Sequence, residues 1–156
     1  MKGDSPARNR PASRKGFTLI EVLVAVFIGV LLAGMVTVNV VRYVSESRVK
    51  AARIQIRELR SAVEQYIAEQ GQPPTMEQGL DALVRPPTIP PLPRSYPPGG
   101  YLSSRRIPRD PWGREYIYVV PGPDNQPFEI LSYGSDGEPG GEGHAADISS
   151  ADLGEF

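Results

Sequence analysis

The chain of 156 residues contains no cysteine and only one histidine, His144. Without cysteine there is no disulfide. Small domains outside a reducing compartment often rely on one, so a domain of that kind would need another staple here, such as a metal or assembly with neighbours. There is also no thiol nucleophile, no Gly-x-Ser-x-Gly elbow and no phosphate-binding loop. His144 lies in a glycine-dense stretch, where it reads as a surface residue or peripheral ligand rather than a general base. No basic run interleaved with aromatics points to nucleic acid. The sequence therefore reads as a non-enzyme. Its length suits one small domain beside any membrane segment.

Net charge is −1 but unevenly spread. Residues 110–156 hold ten acidic side chains and one basic, Arg114; residues 1–109 hold sixteen basic and eight acidic. Two readings fit. Subunits could attract one another head to tail, or some acids bind a cation while the rest keep the surface soluble.

Residues 17–41 are mostly apolar and long enough, as helix, to span a bilayer. Within them lies one carboxylate, Glu21. An ionisable group inside such a span costs a few kcal/mol and by default marks function. Lys2, Arg8, Arg10, Arg14 and Lys15 precede the span, favouring a cytoplasmic N-terminus, but Arg42, Arg48, Lys50 and Arg53 follow it, so charge alone does not decide. A secretory signal places its small cleavage residue after the apolar core. Here Gly16 stands before it, so cleavage there would leave the span in the mature protein.

The string Lys15-Gly16-Phe17-Thr18-Leu19-Ile20-Glu21 resembles the processing site of type IV prepilins and type II secretion pseudopilins. The resemblance implies that a prepilin peptidase cuts between Gly16 and Phe17, removes residues 1–16 as a leader and methylates the new amine of Phe17. It also implies that Glu21 meets the N-terminal amine of a neighbouring subunit, which supplies the partner a buried carboxylate needs. An ordinary signal anchor with a stray Glu is the alternative.

Beyond the span, residues 42–70 contain no glycine or proline. Val49, Ala52, Ile56, Leu59, Val63, Tyr66 and Ile67 recur at spacings of three and four, the mark of one apolar face on a helix. One continuous helix from Phe17 to about Gln70 is expected, stopped by Gly71 and Pro73-Pro74. Thr75-Met76-Glu77-Gln78 is a capping-box pattern that predicts a short helix over 75–85. Residues 86–98, seven of them proline, predict an extended loop. Runs 115–120 and 128–133 predict a hairpin across the turn cluster 121–127. Trp112 reads as a core anchor rather than a binding group. The fold class is thus α+β: a long pilin-like N-terminal helix against a small antiparallel hairpin or sheet.

A glycine-dense loop such as Ser132-Tyr133-Gly134-Ser135-Asp136-Gly137 through Gly140-Gly141-Glu142-Gly143 to Ala146-Asp147-Ile148 loses much entropy on ordering, so something should hold it. Calcium fits, since it takes six to eight hard oxygens from carboxylates and carbonyls. Asp136 and Asp147 have the spacing of the first and last ligands of an EF-hand. However, Gly140 stands where an acid or amide belongs, and the flanks are not helices. An EF-hand is excluded; a calcium loop, or a metal-free acidic loop, remains.

Asp110-Pro111-Trp112-Gly113, Glu77-Gln78-Gly79-Leu80 and this loop resemble the major pseudopilins of type II secretion systems. The resemblance implies a structural Ca2+ whose ligands are Asp136, the Tyr133 carbonyl and Asp147, with Ser135, Glu142 and the Leu131 carbonyl as further candidates. It implies a structural filament subunit that helps export folded proteins across the outer membrane. Its partners are copies of itself, minor pseudopilins, the prepilin peptidase and an inner-membrane assembly platform. It is stored in the bacterial inner membrane as a single-pass protein with residues 42–156 in the periplasm. Three departures stand out: Val38 where the family often has proline, the ending Asp152-Leu153-Gly154-Glu155-Phe156, and the proline-rich stretch. A type IV pilin for adhesion or DNA uptake, or a calcium-dependent membrane module that never polymerises, are the alternatives.

Overall fold

The computed structural model describes residues 16–153, with residues 34–41 described by backbone alone. The expected leader, except Gly16, lies outside the described residues, as do the side chain of Val38 and the last three residues. The chain divides into two compact units, Met1–Val40 and Val41–Phe156. Helix α1 (Leu19–Gln70, 52 residues) contributes to both. Among the described residues no helix is long and apolar enough to cross a membrane. The described apolar run, residues 19–33, gives about 22 Å of helix.

In the second unit, α1 carries the buried stripe. Ala52, Ile56, Leu59, Ala62, Val63 and Tyr66 are buried in the core, and Val49 and Ile67 pack at its margin. Each large aliphatic group on this stripe contributes roughly 1.5–3 kcal/mol through burial. The helix ends at Gly71, whose φ is 87° and whose N–H donates to the Ile67 carbonyl at 2.7 Å.

The 75–85 segment differs from the expected helix. Thr75 and Gln78 do form the reciprocal pair: Thr75 N–H donates to Gln78 Oε1 at 3.1 Å and Gln78 N–H to Thr75 Oγ1 at 3.2 Å. Yet this box closes a turn, and the helix itself is a short 3-10 element, η1 (Leu80–Leu83), with Gly79 at its N-cap. The cause lies in the other end of Gln78. Its buried amide donates to the carbonyls of Ile89 (2.7 Å) and Pro91 (2.9 Å) in the proline-rich loop. Proline supplies carbonyls but no N–H, so a side-chain donor is what such a loop can bind. Gln70 works likewise, donating to the Ser95 carbonyl at 2.7 Å and accepting from Arg94 N–H at 3.0 Å.

The sheet has three antiparallel strands in the order β1 (Ile117–Val119), β2 (Glu129–Ser132), β3 (Ile148–Ser149). Ile117 pairs with Leu131, and Leu131 with Ser149. The strands are shorter than the sequence runs suggest. The third, only two residues long, carries too little alternation to be read from sequence. Tyr116 and Tyr118 tie the sheet region down: Tyr116 Oη donates to Gln55 Oε1, and Tyr118 Oη to the Pro74 carbonyl at 2.9 Å. Burial pushes both phenols up, and for Tyr116 the Asp110 carboxylate adds to the effect. Trp112 is half-buried against the core cluster.

Candidate functional site

Two places carry candidate functional residues, one in each unit. In the first unit, Gly16 and Phe17 precede α1, and Thr18 caps it: its Oγ1 accepts from Glu21 N–H at 3.3 Å and its carbonyl from Val22 N–H at 3.3 Å. Glu21 therefore sits in the first turn, where the helix dipole favours a negative charge. Phe17, Leu19, Ile20 and Leu23 around it are exposed, as are Val26, Phe27, Leu31 and Leu32 further along. A continuous apolar surface of this size marks a lipid or protein contact.

In the second unit, the candidate loop is the β2–β3 connection, residues 133–147. Its entrance is built by Asp110. That buried carboxylate accepts from Trp112 N–H (3.1 Å) and Arg114 N–H (2.8 Å) through Oδ1, and from Ser132 Oγ (2.7 Å) through Oδ2. It thereby fixes the Asp-Pro-Trp-Gly turn to the end of β2. Sequence reasoning missed this role; Asp110 two residues before Trp112 in Asp110-Pro111-Trp112-Gly113 is an Asx-turn signal that could have found it, while no local pattern points to Ser132.

Within the loop, Gly137 N–H donates to the Tyr133 carbonyl at 3.1 Å, and Ser135 N–H to the His144 carbonyl at 3.1 Å. Asp136 Oδ1 accepts from Glu138 N–H at 3.3 Å. Gly134 has φ 59°, and a Cβ there would stand 2.7 Å from the Ala146 carbonyl oxygen, so the two loop ends touch only because this residue is glycine. Glu142 is exposed, and its carbonyl accepts from Ala145 N–H at 3.1 Å. Ile130 exchanges its backbone bonds with the β3 side, accepting from Ser150 N–H at 2.8 Å; by ladder alternation Leu131 directs its carbonyl toward β1.

Asp147 is the informative residue. Its Oδ2 accepts from Gly140 N–H at 2.9 Å, while its Oδ1 is buried with no hydrogen-bond partner. Leaving a charged acceptor unpaired costs on the order of 1–3 kcal/mol or more, and a cation removes that cost. Among the described residues no three His, Asp or Glu side chains gather to hold a metal by themselves. A hard cation here would therefore draw on backbone carbonyls as well as Asp147, which suits calcium's preference for mixed oxygen ligands. The donor types fit.

Comparison with known proteins identifies the family. The family model described as type II secretion system (T2SS), protein G matches residues 39–151, and that of the prokaryotic N-terminal methylation motif matches residues 11–37. Type II secretion system core protein G of Vibrio cholerae is 40% identical over 141 residues, covering 90% of this chain and 94% of that protein. The Pseudomonas aeruginosa protein of the same name is 38% identical over 139 residues, covering 89% and 96%. The crystal structure of the major pseudopilin from the type 2 secretion system of enterohaemorrhagic Escherichia coli superposes with a TM-score of 0.58 at 37% identity, covering 67% of this chain and 87% of that one. The chain belongs to the type II secretion system protein G family, that of the major pseudopilins, which are structural subunits of the pseudopilus.

Proposed function

We propose that this chain polymerises with copies of itself into a pseudopilus that helps export folded proteins across the outer membrane. Its family membership over nearly the whole second unit is the observation that carries this reading. The exposed apolar surface of residues 17–33 supports it: in water that surface needs either lipid or neighbouring helices around it.

In this reading the peptidase cuts between Gly16 and Phe17, and the Phe17 amine is methylated. The chain waits in the inner membrane as a single-pass protein, with residues 17–41 in the bilayer and residues 42–156 in the periplasm. On assembly the Glu21 carboxylate meets the Phe17 amine of a neighbour. The Thr18 cap keeps that carboxylate in the first turn, close to the new chain end. The interface is heterologous and non-closing, which makes a filament rather than a ring. Minor pseudopilins and an inner-membrane platform are the further partners.

The 133–147 loop binds Ca2+ in this reading. Asp147, whose buried oxygen lacks a partner, Asp136 and the Tyr133 carbonyl hold it; the Ser135 hydroxyl and Glu142 are further candidates, and the Leu131 carbonyl, turned toward β1, is the weakest. The ion supplies positive charge that neutralises the loop's carboxylates; the chain's own residues do the positioning.

Removing this chain from its bacterium tests the function. Folded secretion substrates should accumulate in the periplasm and reappear outside when the chain is restored. Normal export without it would contradict the reading.

A further inference from the structure

We propose that Arg114 is a resident cation of the 133–147 loop, which latches the first half of that loop whether or not a metal is bound. Arg114 is the one basic residue among residues 110–156, and the loop it serves carries Asp136, Glu138, Glu142 and Asp147. Its backbone is fixed from both sides by Asp110: Arg114 N–H donates to Asp110 Oδ1 at 2.8 Å, and Asp110 N–H donates to the Arg114 carbonyl at 2.8 Å. From that mount the guanidinium reaches across. Nη1 donates to the Gly134 carbonyl at 2.8 Å and Nη2 to the Ser135 carbonyl at 3.2 Å.

The loop is shaped to receive it. Gly137 has φ 77°, and a Cβ there would lie 2.4 Å from both Cζ and Nε of Arg114. The planar guanidinium thus lies against the Gly137 backbone, in space that any larger residue would fill. Two successive carbonyls facing one fixed cation is the arrangement a loop otherwise makes around a metal. Here the protein supplies the charge itself.

This divides the loop. The carbonyls of Gly134 and Ser135 are committed to Arg114. The other end, where Asp147 has its unpartnered oxygen, has no such side-chain cation bound to it among the described contacts. The latch holds the backbone of residues 134–137 without a metal; a metal would join the Asp136 side chain of that half to the Asp147 end. The latch rests on the geometry alone, and only its complement at Asp147 rests on the calcium reading above.

Hydrogen exchange on the full chain in detergent micelles separates the two. It is measured with chelator and with calcium chloride, for the wild type, Arg114→Ala and Arg114→Lys. In chelator, Arg114→Ala should speed exchange of the Ser135 and Gly137 amides about tenfold, the scale of losing charge-assisted hydrogen bonds. Arg114→Lys, which keeps the charge but not the fork, should fall between. Amides of α1 around Ile56 and Leu59 should be unchanged in both variants. If Arg114→Ala exchanges like the wild type at Ser135 and Gly137 in chelator, the latch is overturned. Should Arg114→Ala also loosen α1, Arg114→Lys decides on the same criterion. Calcium without effect on Gly140 or Asp147 in any of the proteins would sink the metal reading, while the chelator arm still judges the latch.

Discussion

Within the second unit, the helix-facing core and the 133–147 loop are ordered by opposite means. The core is apolar and dense. Ile56, Leu59, Val63 and Leu83 of α1 and η1 meet Ile130 of the sheet with no exposure at all. The loop buries almost no apolar side chain and is held by hydrogen bonds, one guanidinium and a carboxylate with an unpartnered oxygen. The first region needs no ligand. The second is the place where an added cation changes most, because its order rests on a few polar contacts near several carboxylates.

The contrast can be broken from the core side first. Leu59→Ala or Ile56→Ala should cost roughly 2–5 kcal/mol, the range for truncating a fully buried aliphatic group. Urea unfolding should show the same loss in calcium and in chelator, since both residues belong to the apolar cluster and neither offers a ligand to a cation. Next comes the joint between the regions. Asp110→Ala removes the acceptor for Trp112 N–H, Arg114 N–H and Ser132 Oγ, and should cost about 3 kcal/mol at about 1 kcal/mol per bond. This variant should loosen the loop and the core together, which thermal unfolding combined with hydrogen exchange will register.

Calcium sharpens the contrast from the loop side. If the ion binds only the folded loop, calcium at a hundred times its dissociation constant should stabilise the chain by about 2.7 kcal/mol. Asp147→Ala should abolish that response and change the chelated protein by no more than about 1 kcal/mol, because the bond lost from Gly140 N–H is set against the removal of a buried oxygen that lacks a partner. An undiminished calcium response in this variant would move the metal elsewhere.

The smallest effect concerns pH, and it belongs to the core side. Tyr66, Tyr96 and Tyr101 cluster there, with ring centroids 5.2 Å apart for Tyr66–Tyr101 and 5.4 Å for Tyr96–Tyr101. Tyr96 is pushed up to about 12, first by burial and then by Tyr101 and Tyr66; Tyr66 and Tyr101 are raised mainly by burial. A phenol raised in the fold keeps its proton there while the unfolded chain loses it. Stability is thus full below the ordinary tyrosine value of 10.0 and falls as pH rises toward about 12. Tyr96→Phe also loses the bond to the Ala82 carbonyl but should flatten this alkaline decline, as read by denaturant unfolding at stepped pH.

The same contrast explains what the sequence made legible. The α1 stripe is visible because helical periodicity repeats over many residues and each apolar position has one use. Gly71 and the Thr75–Gln78 pair are equally local. Gln78 shows where local reading stops: the box is present, but its amide also binds carbonyls eleven and thirteen residues away, and a turn replaces the helix. No pattern announces such a contact. The loop's carboxylates could be named from glycine density and family resemblance. The partnerless oxygen of Asp147 and the reach of Arg114 into Gly134 and Ser135 depend on three-dimensional placement. Arg114 did leave one trace, as the sole basic residue in an acidic region. β3 left none, since Ile148–Ser149 is too short to alternate.

The most direct test of a filament subunit lies in the first unit. Cells producing the wild-type chain or Glu21→Leu are sheared, and the released material is imaged by electron microscopy alongside the membrane-bound pool. Wild type should yield filaments containing this chain; Glu21→Leu should be inserted and cleaved at Gly16 yet yield few or none. Equal filaments from both, or none from the wild type, would contradict the account.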